Sequence, residues 1–253
     1  MKKILLLLAA LALSLTAGAQ VFNHLSLGAG TGLDGTSFEI ASPLGSHVQV
    51  RLGYGMAFGL GYTEKNAVSI PEDPTVENSP DVYLPMKLSL ARNDARLLFN
   101  IYPSKRATFH FTVGAYLGSG SFFKGVIKDI PDIYESVGLD VGDETVKVVN
   151  HQMTAELRGF GIGSPSFAVL PYAGLGFGRP VREDKRVTFS FDLGAAYQGL
   201  PSLWAQSVRS DGSRGYVDIS KNELVDVTDS INEYGKYLKF WPVIDFHLYV
   251  RLF

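Results

Sequence analysis

The run HVQVRLGYGMAFG, residues 47 to 59, alternates strictly. Val48, Val50, Leu52, Tyr54, Met56 and Phe58 lie on one side, and Gln49, Arg51, Gly53, Gly55, Ala57 and Gly59 on the other. A period of two is that of a β-strand with one apolar face. The same period predicts strands over about 22–31, 36–43, 47–60, 84–102, 105–120, 167–178, 185–200 and 237–253. One of these changes phase: Met86, Leu88 and Leu90 share one parity, whereas Leu97, Phe99 and Ile101 share the other. A bulge near Arg92 to Asp94 absorbs that slip within one strand and is the favoured reading, with a true turn as the alternative. Between the strands, 62–83, 121–165 and 201–236 are long and polar and read as loops, with a short amphipathic helix expected in IKDIPDIYESVG despite Pro131.

Alternation does not say which face is wet. A soluble barrel turns its apolar face inward, and a transmembrane barrel turns it towards lipid. Several of the strands exceed the roughly nine to eleven tilted residues that cross hydrocarbon. The non-apolar face mixes glycine and alanine with isolated Arg51, His110, Asp192, Asp245 and Arg251, which suits an eight-stranded interior filled by side chains. The connections also alternate in length. The turns 44–47, 102–105 and 179–186 are short and fall at the periplasmic end, whereas all but one of the opposite connections are long. The expected fold is an all-β, eight-stranded, antiparallel up-and-down transmembrane β-barrel.

The exception is GTGLDG, Gly30 to Gly35, which fits the G-x-G-x-x-G spacing of a dinucleotide loop. Such a loop needs a following helix to meet a pyrophosphate, and TSFEIASPL alternates as a strand. It is therefore read as a tight hairpin, with Gly28 and Gly30 facing inward.

Composition supports this picture. There are 27 glycines, 16 phenylalanines and 12 tyrosines, a mixture better suited to strands than to helices. MKKILLLLAALALSLTAGAQ reads as a signal peptide, residues 1–19, cut after Ala19, followed by one barrel domain over 20–253. The absence of cysteine excludes disulfides, thiolate metal sites and a lipoprotein anchor. With 23 basic residues, two of them in the leader, against 25 acidic ones, nothing points to nucleic acid.

The chain resembles the small outer-membrane β-barrels of Gram-negative bacteria, especially OmpA-like barrels of the Bacteroidetes. The likeness rests on the leader running into AQ, on SPLGSHVQVRLGYG, LLFNIYPSKRATFHFTVGAYLG and PYAGLGFG, and on the terminal Phe253. It implies a location in the outer membrane, contact with its lipid and with the barrel assembly machinery, and Phe253 as an assembly signal. Phe253 is out of phase with Leu252, Val250 and Leu248, and Arg251 stands where that signal has an apolar residue. Members of the family act as structural elements, adhesins or narrow pores.

Glu39, Arg51, His110, Asp192, Asp245, His247 and Arg251 are the candidate lumenal constellation, read as a plug of ion pairs and hydrogen bonds. A small diffusion channel is the alternative. A lipid acyl hydrolase with His110 or His247 as base and Ser190 as nucleophile is a further one, without motif support. The five histidines lack zinc-site spacing, the acidic segments lack EF-hand periodicity, and no cofactor is expected. Trp204, Trp241, Tyr54, Tyr62 and Tyr102 are candidates for the aromatic belts, and Pro242 is expected at a bulge or rim. The long loops are expected to meet any extracellular ligand.

Overall fold

The computed structural model describes residues 23–57, 60–136, 138–141, 144–209, 211–220 and 235–253. The leader and Phe58 lie outside them. In chain order the strands are β1 (Ser26–Gly32), β2 (Gly35–Pro43), β3 (Val48–Met56), β4 (Gly61–Pro71), β5 (Asp81–Leu90), β6 (Asn93–Ile101), β7 (Phe109–Gly118) and β8 (Ser121–Ile127). After a 3-10 turn at Asp132–Ser136 come β9 (Gly138–Val141), β10 (Glu144–Lys147), β11 (Met153–Arg158), β12 (Ala168–Gly178), β13 (Val187–Tyr197), β14 (Ser202–Arg209), β15 (Arg214–Asp218) and β16 (Phe240–Arg251).

Eight of these close an antiparallel up-and-down barrel in the order β1-β16-β13-β12-β7-β6-β3-β2. Closure leaves no edge, the condition for strands in lipid, where an unpaired backbone group is costly. The β1–β2 hairpin closes at Gly32↔Gly35. Gly35 there takes φ +111, which L-residues rarely adopt, and this fixes GTGLDG as a turn.

The barrel is apolar outside and polar inside. Phe38, Leu52, Phe111, Leu175, Phe189, Leu193, Phe246 and Leu248 are exposed, while Ser37, Glu39, Arg51, Asn100, His110, Thr112, Asp192 and His247 are buried. The 11 residues of β13, tilted by about 40°, rise roughly 25 Å, the height of an outer-membrane apolar band. This is the architecture of a transmembrane β-barrel. Strands β3, β7, β13 and β16 have 9, 10, 11 and 12 residues, so of the four expected to exceed the crossing length only β16 does, by one residue, and the others match it. Pro242 pairs with Ala195 beyond the Gly32↔Asp245 end of the β1 ladder, a rim position that tolerates its missing N–H.

Among the described residues, much of the long connections is strand rather than loop. These strands continue the staves as a second sheet in the order β4-β5-β8-β11-β14-β10-β9, with β15 on β14. The expected helix in 127–138 is only the five-residue 3-10 turn, and the single bulged strand expected through Arg92 is instead two strands, β5 ending at Leu90 and β6 beginning at Asn93. Strand β6 pairs in unbroken register with β3 and β7, and burial alternates without slip from Arg92 to Asn100. What changes is the environment. In β6 the apolar Leu97, Phe99 and Ile101 face outward. In β5, Leu90 pairs with Phe123, whose ring lies 5.8 Å from that of inward-facing Trp241. Leu90 packs on the core cluster of Leu98, Tyr116, Phe122 and Trp241, and Leu84, on the same face of β5, is buried. The chain passes between β5 of the outer sheet, where Leu84 and Leu90 turn inward and Leu88 remains exposed, and β6 of the barrel wall, where apolar groups face lipid. A phase change in the pattern is the result.

Candidate functional site

The lumen is filled by two charged layers, each centred on one arginine. Arg51, on β3, donates from Nε and Nη2 to Glu39 at 2.8 and 3.2 Å, and from Nη1 to Asp192 at 2.7 Å. His110 Nε2 lies 3.2 Å from Asp192 Oδ1, and Thr112 donates to that same oxygen at 3.1 Å. Tyr249 donates to Glu39 at 2.5 Å, and His247 Nε2 lies 3.5 Å from its other oxygen. Alternation turns each of these side chains inward, and the barrel diameter brings them together from β2, β3, β7, β13 and β16.

Further along the axis, Arg96 of β6 forms the second layer. It donates to Asp34 at 2.5 Å, Asp94 at 2.9 Å and Asp245 at 3.0 Å. Arg92 adds a 3.1 Å bond to Asp94. Asp192 and Asp245 stand directly opposite each other on β13 and β16. Like charges so placed repel, and here each is matched to a different arginine. Above this layer, Arg96 lies 4.9 Å from the Tyr116 ring and Arg92 5.4 Å from that of Trp241. Below the first layer, Tyr102, Gln49 and the tucked-in Val181 close the floor: Gln49 Nε2 donates to the Val181 carbonyl at 2.7 Å and Tyr102 to Gln49 Oε1 at 3.4 Å.

Six of the seven predicted lumenal residues thus lie in the charged core. Glu39, Arg51, His110, Asp192 and His247 meet in one layer, and Asp245 joins the other. Arg251 does neither. It sits at the lower end, where the termini and short turns gather, and donates to the Arg182 and Glu183 carbonyls at 2.9 and 2.5 Å. Its in-phase position was misleading because β16 ends there. Phe253 is exposed beyond the strand. Two belt candidates are corrected: Trp241 and Tyr102 are buried inside the barrel, on the inward parity of their strands, whereas Tyr54 and Tyr62 are exposed. Asp34, Asp94 and Arg96 were missed. The last two shared the non-apolar parity of β6, but Asp34 is a hairpin residue with no periodic signal.

The hydrolase geometry is not assembled. Ser190 donates to Asp192 at 3.4 Å, and among the described residues no bond joins it to either histidine. A different serine, Ser37, lies 2.8 Å from His247 Nε2, but Glu39 approaches that same nitrogen, and Nδ1 has no partner among the described residues. A general base needs its orienting carboxylate on the opposite nitrogen. Among the described residues no group of three or more His, Asp or Glu side chains is placed to hold a metal ion.

No family model and no curated protein matches the chain. Among solved structures it is similar to CarO2 of Acinetobacter baumannii, at 15% identity and TM-score 0.48, over 92% of this chain and 99% of that one. It is similar also to CarO of the same organism, at 15%, TM-score 0.43 and the same coverage. A major outer membrane protein of Thermus thermophilus follows at 12%, TM-score 0.42, over 90% of this chain and 98% of that one. The barrel assignment rests on this chain's own strand pairing and its inverted side-chain pattern.

Proposed function

We propose that the protein is a non-enzymatic barrel of a Gram-negative outer membrane, with a structural or surface-interaction role served by the sheet that extends its staves. Export through the leader at 1–19, contact with the barrel assembly machinery through Phe253, a Bacteroidetes-type OmpA-like relationship and a ligand at the outer sheet belong to the same proposal. The observation that carries it is the lumen, in which aromatic, charged and floor layers succeed one another along the axis. The test is expression in a Gram-negative host with fractionation and heat-modifiable gel mobility, followed by planar-bilayer recording. An outer-membrane product that shifts on heating and gives no channels supports the reading. A soluble periplasmic product, or reproducible conductance, counts against it.

A second reading, a small diffusion channel, has its own support. Asp34 Oδ1, Asp245 Oδ1, Arg92 Nη2, Tyr116 OH, Tyr172 OH and His247 Nδ1 are buried without a protein partner among the described residues. Polar atoms of this kind are served by internal water. The carboxylates of Glu39, Asp34, Asp94, Asp192 and Asp245 outnumber the guanidiniums of Arg51, Arg92 and Arg96, which would make such a path prefer cations.

A further inference from the structure

The lower mouth of the barrel holds a cavity of about 610 Å³ on which Lys105, Arg106, Arg179 and Arg182 converge, against Glu183 and Asp184. Its floor is held in place. The Pro180 and Val181 carbonyls accept hydrogen bonds from Thr188 at 2.9 Å and Gln49 at 2.7 Å, and the Val181 N–H donates back to Gln49 Oε1 at 3.2 Å. Arg179 is likewise fixed. It lies 4.0 Å from the centre of the Tyr102 ring and donates to the Ala107 and Ser104 carbonyls at 2.7 and 3.0 Å, and no carboxylate pairs with it among the described residues. Burial, with repulsion from Arg182, lowers its pKa from the usual arginine range. Asp184 is committed to Arg182 at 2.7 Å, which leaves Glu183, among the acids lining the cavity, to face Lys105, Arg106 and Arg179.

A concave site with excess positive charge suits an anion; of the three cations, Arg179 is ordered before a ligand arrives, whereas Lys105 and Arg106 are exposed. The cavity is lined by residues of the short turns at this end together with the buried Gln49 and Val181, and not by the lipid-facing side chains of the strands, so its occupant is expected from the aqueous compartment at this end. We propose that the lower mouth is a binding site for a small multivalent oxyanion, bearing phosphate or carboxylate groups, held by Lys105, Arg106 and Arg179. This does not depend on whether the lumen conducts.

The test is titration calorimetry of the full-length barrel in a zwitterionic detergent, with inorganic pyrophosphate and citrate in separate arms and vesicles containing anionic phospholipid in a third. Expected is saturable, one-to-one binding of at least one soluble anion that weakens steeply as salt rises. The double variant Lys105→Gln/Arg106→Gln is expected to bind about tenfold more weakly or worse. Which anion binds more tightly identifies the ligand group as phosphate or carboxylate. Saturation by vesicles alone, absence of binding by either anion, or wild-type affinity in the double variant would overturn the proposal. The salt dependence of the unmodified protein keeps the test valid if the double variant fails to fold.

Discussion

Replacing Arg51 by methionine removes the guanidinium that bonds both Glu39 and Asp192 while keeping most of the aliphatic volume. Arg51, Glu39 and Asp192 have side chains 1%, 0% and 3% exposed, so water cannot compensate the two carboxylates. Both keep hydroxyl neighbours, Tyr249 at 2.5 Å for Glu39 and Thr112 at 3.1 Å for Asp192, and each has a histidine nitrogen nearby, His247 at 3.5 Å and His110 at 3.2 Å. Those hydroxyls stabilise a carboxylate but do not neutralise it. Breaking a buried pair by removing one partner costs about 3–5 kcal/mol, and that range is expected here. The compensated variant Arg51→Met/Glu39→Gln/Asp192→Asn, which buries no charge at these positions, is expected to recover more than half of the loss. The assay is equilibrium urea unfolding of the barrel in lipid vesicles, followed by tryptophan fluorescence and gel mobility. A loss below about 1 kcal/mol for Arg51→Met, or a triple variant less stable than the single one, would refute the reasoning.

Leu193, exposed at the middle of β13, faces the membrane centre, so Leu193→Arg should cost about 2–4 kcal/mol in the same unfolding assay, whereas Lys87→Ala on the outer sheet should leave stability unchanged. At Gly30 an added Cβ would overlap the His247 ring and lie 2.6 Å from the Phe246 carbonyl oxygen; Gly30→Ala is therefore expected to lower stability by about 1–3 kcal/mol or block heat-stable folding on gels. Tyr216, on the outer sheet, has its pKa pushed up to about 12 by burial and by Glu156. An unfolded tyrosine ionises near 10, so stability from Tyr216 is complete below pH 10 and is lost as pH rises from 10 towards 12. In the difference between phenolate absorbance titrations of wild type and Tyr216→Phe, the missing group should ionise near 12; a midpoint near 10 would contradict the environment described.

The barrel was legible in the sequence because a period of two sorts side chains between two environments, and each of its eight staves has enough rungs to show it. The lumen was readable for the same reason: Glu39, Arg51, His110, Asp192 and His247 are in-phase charged or polar positions on predicted strands. Asp34 was not, because a two-residue turn has no phase. The outer sheet was hidden for another reason. Its faces are unevenly buried, and β4 is exposed along most of its length, so TEKNAVSIPED reads as a loop although Gly61–Pro71 is paired throughout with β5 apart from one irregularity. The apparent slip at Arg92 was a true signal given the wrong cause. Register and apolar parity coincide along a strand that stays in one solvent, and they separate where β6 of the barrel wall gives way to β5 of the outer sheet.

That separation is the central claim, and a nitroxide scan along residues 84–101 tests it most directly, because the chain has no native cysteine and single-cysteine variants can be labelled without background. In lipid vesicles, collision with oxygen, which partitions into the membrane, is predicted to peak at 95, 97, 99 and 101. Above Arg92 the same odd positions, 87 and 89, should instead collide with a water-soluble nickel chelate. Oxygen maxima at 86, 88 and 90, continuing the membrane band on the opposite parity, would show a bulged strand in lipid throughout and contradict the account.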